Sequence, residues 1–385
     1  MKLYKRTWAE IDLDRLKQNY IVYKRALPQD TEIMCVVKAS CYGHSDRAAV
    51  PFLQNELDVK HFAVSNLEEA VRLRSFGITG EILILGYTSP DEAQALEKYD
   101  IIQAIMDFDY ARSLNDYALS SVRCHIAVDT GMARIGLRGT AEEISDEIVK
   151  IAALDKLKIE GAFTHFAVAD SLEDDCAMFT KAQSELFFSA ADEAKKKGVK
   201  LETLHTLNSA AGLFHTDSRS SLARLGIVLY GLKPDRSLDL PSEIKPVMSL
   251  KSTVSQVKEV EQNVSVSYGR SYFTASKAKL ATVCCGYADG YPRLLSNIGE
   301  VLVHGRRCKI VGRVCMDQFM CDVTGIDVRA GDIVTLIGHD GSESITADDL
   351  AKLTGTIGYE IVCSVSERVP RAAVKNGNIV GVYKL

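Results

Sequence analysis

EIMCVVKASCYGH, residues 32–44, decides how this chain is read. Ile33 to Val37 is a nearly unbroken apolar run with β-branched residues, the pattern of a strand buried on both faces. The run ends in Lys38, followed by a short polar turn and then a helical pattern. In parallel α/β folds, catalytic residues sit at the carboxyl ends of the strands. A lysine directly after a buried strand is costly unless its amine reaches water, an anion or a covalent partner. Lys38 therefore reads as a functional amine aimed into a site. The competing reading is a lysine that only snorkels out of a strand end.

Outward from this stretch, an apolar strand followed by a helix recurs. The expected strands are 32–38, 61–65, 81–86, 101–106, 122–129, 159–165, 201–207 and 222–229, with amphipathic helices such as 66–76, 90–98, 141–154 and 175–196 between them. Eight such repeats predict an α/β chain built on a parallel (β/α)8 TIM-type barrel. An open doubly wound sheet is the alternative, but no GxGxxG follows the first strand, against a dinucleotide-binding version. Near residue 235 the rhythm stops, and Pro234 and Pro241 flank a polar linker. Beyond it, β-rich runs at 248–257, 280–285, 300–303, 309–313, 319–322 and 333–337 and one helix at 347–353 predict a mostly β C-terminal domain. The expected division is a barrel over 8–238 and a β domain over 239–385, with residues 1–7 pairing with the latter.

Composition narrows the function classes. The chain has 385 residues and a net charge of −5, which gives no sign of a nucleic-acid surface. No apolar run has the length of a transmembrane helix, and MKLYKRTWAEIDLD at the start lacks a signal-peptide core. The ten cysteines form no CxxC pair and no His–Cys ligand spacing, so reduced thiols and no metal site are expected. The expected location is the cytoplasm, whether as a free enzyme or as the cytoplasmic domain of a larger membrane protein.

The expected strand ends collect polar groups. Lys38 and Tyr42 follow the first strand; Asp129, Thr130, Gly131 and Arg134 the fifth; His165 ends the sixth; Asn208 and Ser209 follow the seventh. Arg224 begins the eighth, with Gly226 and Ile227 after it. A lone histidine at a strand end is more often a satisfied hydrogen-bonder than a catalyst. Five polar clusters on one face of a barrel point to a site. The loops after strands seven and eight are the usual phosphate site of such barrels, and here they offer Ser209 and the Gly226–Ile227 backbone.

VVKASCYGH, residues 36–44, resembles the pyridoxal-phosphate lysine motif of the alanine racemase family, usually VVKANAYGHG, with departures at Ser40, Cys41 and Ser45. DTGMARIG (129–136), THFAVAD (164–170), HTLNSAA (205–211), ARLGIVLYG (223–231), SYGRSY (267–272), GYADGYPR (286–293), GRVCMDQ (312–318) and IGYE (357–360) continue the resemblance across the chain. It implies a pyridoxal-phosphate-dependent isomerase, an amino-acid racemase that makes D-alanine for peptidoglycan. It also implies a homodimer whose two sites are shared between subunits. Lys38 holds the cofactor and serves as one base; Tyr268, from the β domain, is the other. The cofactor-binding set implied is Lys38, Tyr42, Arg134, His165, Asn208, Ser209, Arg224, Gly226, Ile227 and Tyr359. Arg134 approaches the cofactor's phenolic oxygen, Arg224 faces its pyridine nitrogen, and His165 bonds that arginine. Tyr287, Met316 and Asp317 line the substrate side with Arg134.

These residue types suit the reaction. Racemisation needs proton transfer on both faces of one planar carbon, and two bases on opposite sides do this without moving the substrate. A tyrosine with a pKa of about 10 needs nearby positive charge or donors to act near neutrality. An arginine at the pyridine nitrogen cannot accept its proton, so the ring stays a weaker electron sink and stray protonation on the cofactor is disfavoured. Three other readings compete: a serine racemase of the same family, which Tyr359 disfavours; an ornithine or diaminopimelate decarboxylase, which places a glutamate where Arg224 stands; and a non-catalytic pyridoxal-phosphate carrier, which has no β domain. One departure carries its own expectation. Many relatives have a carbamylated lysine two residues before DTGM, where this chain has Ala127. The lost charge and volume together favour a small anion such as chloride beside Arg134.

Overall fold

The computed structural model describes residues 2–215 and 219–384. A first strand, β1 (Thr7–Asp12), precedes eight strands of a parallel sheet. These are β2 (Glu32–Val36), β3 (His61–Val64), β4 (Glu81–Ile84), β5 (Ile102–Ile105), β6 (Val122–Ala127), β7 (Leu157–Phe163), β8 (Thr203–His205) and β9 (Leu222–Leu225). The order is β8-β7-β6-β5-β4-β3-β2-β9. The ends meet: Arg224 N–H donates to Leu207 O at 2.8 Å and Ser221 N–H to Leu204 O at 2.9 Å, beside a Leu207–Ala223 bridge. The sheet is thereby a barrel, as the eightfold rhythm predicts.

The connecting helices start where the sequence supplies caps. Asn66 accepts the Glu69 N–H ahead of Leu67–Ser75, and Thr140 with Glu143 forms a reciprocal capping box ahead of Ala141–Ala152. Two expected strand ends are corrected. The first strand stops at Val36, not Lys38, because the chain turns left-handed beyond it. The eighth stops at Leu225, not Leu229, because Gly226 breaks the extended backbone and Ile227–Tyr230 form a 3₁₀ turn. Arg224 therefore lies within β9 rather than at its start.

The second domain is a ten-stranded sheet ordered β18-β17-β14-β15-β16-β13-β10-β1-β19-β20. Its strands are β10 (Met248–Val260), β13 (Ala278–Val283), β14 (Glu300–Val303), β15 (Arg306–Val311), β16 (Phe319–Asp322), β17 (Ile333–Asp340), β18 (Glu343–Ile345), β19 (Arg371–Lys375) and β20 (Asn378–Tyr383), with a separate hairpin of β11 (Ser265–Val266) and β12 (Tyr272–Phe273). Helices Ala347–Thr354 and Gly358–Ser364 complete it. Residues 8–12, expected in the barrel, lie instead in this sheet. β1 pairs antiparallel with β10 and parallel with β19, because the barrel is already closed by eight other strands. No helix among the described residues is long and apolar enough to cross a membrane.

The two domains are stitched by buried polar side chains. Asn19 donates to Leu229 O and Lys245 O at 3.0 and 2.8 Å and accepts the Lys245 N–H. Arg371, fully buried on β19, donates through Nε to Gly43 O at 2.9 Å and through Nη1 to Ser366 O and Val369 O. The β domain thus holds the turn that follows Lys38.

Candidate active site

Lys38 opens a turn that sequence propensity does not announce. Ala39, Ser40, Cys41 and Tyr42 all have positive φ, at 49°, 50°, 58° and 52°. Each left-handed non-glycine residue costs roughly 1–2 kcal/mol, so four in a row persist only where the surroundings over-determine them. Here they do. Glu69 accepts the Ala39 N–H at 2.7 Å, and Arg72 donates to Ser40 Oγ at 3.2 Å while pairing with buried Asp46 at 2.7 Å. His44 Nδ1 lies 3.0 Å from both Cys41 O and Tyr42 O. Gly43 is obligatory, since a Cβ there would lie 2.2 Å from Val362 O. Ser45, with φ of 80°, adopts a glycine-like conformation yet caps Asp46–Leu57 by accepting the Ala48 N–H.

The turn delivers Lys38 and Tyr42 to a cavity of about 520 Å³ at the carboxyl ends of the barrel strands, a size suited to a small cofactor with its substrate. Tyr42, Arg134, His165, Asn208, Ser209, Arg224, Gly226, Ile227 and Tyr359 line it with Lys38. The implied cofactor set is therefore brought together by one chain. Tyr268, Tyr287, Met316 and Asp317 are not. Tyr268 is 72% exposed on the 3₁₀ turn between β11 and β12, Tyr287 and Met316 are exposed, and Asp317 pairs with Arg368 at 2.8 Å. None of the four lines the cavity of its own chain.

The cavity is electropositive. Burial pulls the Lys38 amine below the ordinary lysine range, and the Arg134 guanidinium adds to this. Burial, then the charges of Arg224, Arg134 and Lys38, hold His165 down to about 3, so its imidazole is neutral. Arg224 is buried with no carboxylate partner among the described residues, and burial pulls it down to about 10. Its Nη1 donates to His205 O at 2.7 Å and His205 Nδ1 at 3.0 Å. Its Nη2 donates to Thr164 O at 2.6 Å and Thr206 O at 3.3 Å and lies 3.5 Å from His165 Nδ1. Its Nε–H has no acceptor among the described residues.

These features fit pyridoxal phosphate. Lys38 is an amine of lowered basicity, and the free Arg224 Nε–H suits a ring nitrogen. At the other end, a Cβ on Gly226 would fill a cradle, 3.0 Å from Tyr42 Oη and 3.4 Å from Ser209 Oγ. Ser209 Oγ accepts the Gly226 N–H at 2.8 Å, so that N–H, expected to serve a phosphate, is already spent. The Tyr42 and Tyr359 hydroxyls have no partner among the described residues, and both phenols are pushed above the ordinary range by burial, so both remain donors. Asn208 lines the cavity while its Oδ1 accepts the Ala211 N–H at 2.9 Å.

The DTGMARIG segment is hung on Asp129, whose Oδ1 accepts the Gly131 and Ala133 N–H groups at 3.0 and 2.9 Å. Arg134 projects from it, exposed and without an ion pair or hydrogen bond among the described residues. Ala127 packs with Ala104, Phe163 and Leu85. Ala127 also lines the cavity, together with Arg134, Leu85 and Phe163, so the place of the relatives' lysine opens on it. Sequence reasoning passed over Glu69 and the inward histidines His125 and His205. Their only signals are the acid in the first helical turn after β3 and a polar residue inside an apolar strand.

The family model described as "Alanine racemase, N-terminal domain" matches residues 11–234, and "Alanine racemase, C-terminal domain" matches 247–373. The chain is 43% identical over 371 residues to the alanine racemase of Halothermothrix orenii, covering 95% of this chain and 96% of that one. It is 40% identical over 380 residues to alanine racemase 1 of Clostridium acetobutylicum, covering 97% of each. Its structure superposes with a TM-score of 0.93 on the crystal structure of alanine racemase from Bacillus anthracis with bound L-Ala-P, at 36% identity, covering 100% and 99% of the two chains.

Proposed function

The chain belongs to the alanine racemase family, and we propose that it interconverts L- and D-alanine with pyridoxal phosphate held at the barrel mouth. The D-alanine so made supplies peptidoglycan. When bound, the cofactor supplies an electron sink for the charge left on the α-carbon after its proton is removed.

The residues of this chain do the rest. Lys38 would hold the cofactor through its amine and would exchange a proton with one face of the substrate's α-carbon. Its lowered basicity leaves more neutral amine near physiological pH, which is what a base requires. Tyr42, Ser209 and Tyr359 would hold the cofactor's phosphate as donors. Arg134 would orient the phenolic oxygen and the substrate carboxylate. Arg224 would offer a donor to the pyridine nitrogen and take no proton from it.

The second face needs a base that the cavity's own chain does not supply. We assign it to the partner subunit's Tyr268 in a head-to-tail homodimer. Tyr268, Phe273, Tyr287 and Met316 are exposed on the β domain, and Leu172, Met178 and Phe179 are exposed on the barrel. Exposed large apolar residues on both domains of one chain suit an isologous dimer. The partner subunit's Tyr287, Met316 and Asp317 would then close the substrate side.

The observation that carries the proposal is Arg224 itself: a buried guanidinium served by carbonyls and neutral imidazoles, where a decarboxylase would need an acid. The experiment is a racemisation assay with L-alanine and L-serine side by side, with borohydride reduction and peptide mapping of the holoenzyme. Alanine turnover and labelling at Lys38 are expected. A serine preference, or labelling of another lysine, would overturn the corresponding assignment.

A further inference from the structure

Below the cavity, the barrel interior is polar where a stack of aliphatic layers is usual. The floor is a network of charges: His61 bridges Glu32 at 2.6 Å and Glu81 at 2.9 Å, and Arg123 pairs with Glu81 and with Glu160 at 2.8 Å. Between this floor and Arg224 stand two buried histidines. His205 Nδ1 is 3.0 Å from Arg224 Nη1, and His205 Nε2 is 2.9 Å from His125 Nδ1. Gly161 makes room for the second ring, since a Cβ there would lie 3.0 Å from His125 Nε2.

The chemistry of the donors fixes every proton in this line. A guanidinium only donates, so His205 Nδ1 must present a lone pair. A charged His205 would set N–H against N–H and cation against cation. His205 is therefore neutral with its proton on Nε2, and that proton needs an acceptor. His125 Nδ1 supplies it, which leaves the His125 proton on Nε2.

We propose that His205, backed by His125, is a positioning residue: the two fix a one-way chain of donors that holds the Arg224 guanidinium at the cavity, its Nε–H left without an acceptor among the described residues. The groups facing the two rings are Arg224 from β9, Arg123 from β6, Glu81 from β4, Glu160 from β7 and His61 from β3. Phe163 from β7 stacks on His205 at 5.1 Å. Burial holds His125 down to about 4 and His205 well below the ordinary range, so neither charges near neutrality. Without the accepting Nδ1, Arg224 Nη1 would keep only the His205 carbonyl, and the guanidinium would be free to turn its Nε away. The consequence for catalysis rests on the role given to Arg224 above.

The test is ring ¹⁵N–¹H spectroscopy of the histidine-labelled holoenzyme. His125 and His205 are expected to be neutral, protonated at Nε2 and non-titrating between about pH 5.5 and 8.5, the span in which an ordinary histidine titrates. An Nδ1–H tautomer or an imidazolium at either position overturns the proposal. Two variants extend it to function. His125→Asn keeps an accepting oxygen near the Nδ1 position; His125→Leu keeps the volume and removes the acceptor. His125→Leu is expected to raise transamination relative to racemisation by about tenfold, the worth of one hydrogen bond, and His125→Asn to restore most of the wild-type ratio. Equal partition in the two folded variants overturns the link to Arg224. A holoenzyme that fails to racemise alanine would overturn the proposed function and leave the tautomer result standing.

Discussion

Glu69 Oε1 accepts the Ala39 N–H at 2.7 Å while its Oε2 accepts the Ser65 N–H at 2.8 Å. One carboxylate thus ties the end of β3 to the first residue of the left-handed turn behind Lys38. The turn carries strain, and Glu69 is among the few contacts that offset it. Glu69→Ala is expected to destabilise the protein by about 1–2 kcal/mol and to weaken cofactor retention, since two hydrogen bonds to a charged acceptor are lost. Thermal unfolding and the dissociation rate of pyridoxal phosphate would read this. An unchanged rate would show that Arg72, His44 and Arg371 hold the turn without Glu69.

Arg224 allows a sharper test. Arg224→Lys keeps the charge but replaces a planar fork by a single ammonium, which cannot serve Thr164 O, His205 and the cavity together. A loss of roughly tenfold or more in kcat is expected, about the worth of one charge-assisted hydrogen bond. Arg224→Glu would place a carboxylate among the carbonyl oxygens of Thr164, His205 and Thr206, so its melting temperature should fall sharply. In whatever fraction stays folded, a long-wavelength absorption band during turnover and more transamination are expected. An unchanged spectrum and partition would remove Arg224 from the pyridine nitrogen.

The barrel was legible because strands buried on both faces become apolar runs, and eight of them recur. What stayed hidden has physical reasons. Ala-Ser-Cys-Tyr carries no residue that demands a positive φ, so the left-handed turn is imposed by Glu69, Arg72 and Arg371 from distant segments. β19 was missed because its first residue is the fully buried Arg371, and β20 because its residues stay largely exposed and lack a buried face. The pocket residues were found by motif; His125 was not, because its partners are other side chains deep in the barrel.

Stability should fall on acidification, beginning near neutrality. Burial holds His44 and His125 down to about 4, and His205 well below the ordinary range, against about 6.5 in the unfolded chain. Between those values the unfolded chain binds more protons, so each such histidine contributes stability that is full above the unfolded pKa and lost as pH falls toward the folded one. Each costs about 1.4 kcal/mol per pH unit in that window. His61 works in the opposite direction, since Glu81 and Glu32 raise it. The melting temperature is expected to drop steadily from pH 7 to 5, and His44→Asn, removing one depressed group, should flatten that slope. A flat profile in the unmodified protein would contradict the buried neutral histidines.

Ala127 bears on anions. It lines the cavity with Phe163, Leu85 and Arg134, and Arg134 is exposed, so an anion beside it is screened by water. Replacing chloride by a bulky anion at equal ionic strength is expected to change activity and cofactor affinity by less than about threefold, as for an exposed ion pair. A larger, saturable chloride dependence would restore a buried anion site.

Tyr268 decides whether one chain makes one site. It stands on the β domain, 72% exposed, while Lys38 lies in the barrel cavity that Tyr268 does not line. Of the two proposed bases, a single chain therefore brings only Lys38 to its own cavity. If the partner subunit's Tyr268 supplies the other, Lys38→Ala and Tyr268→Ala should each abolish racemisation in homodimers. Mixed after subunit exchange, they form a heterodimer in which one site has lost both groups and the other has both intact. Activity should return to at most about a quarter of wild type per total protein, since half of the dimers are mixed and each holds one working site. Exchange is verified independently by mass tags. Proven exchange with no recovery would place the second base within the same chain, and the exposed turn of β11 and β12 would then need to fold back over its own barrel.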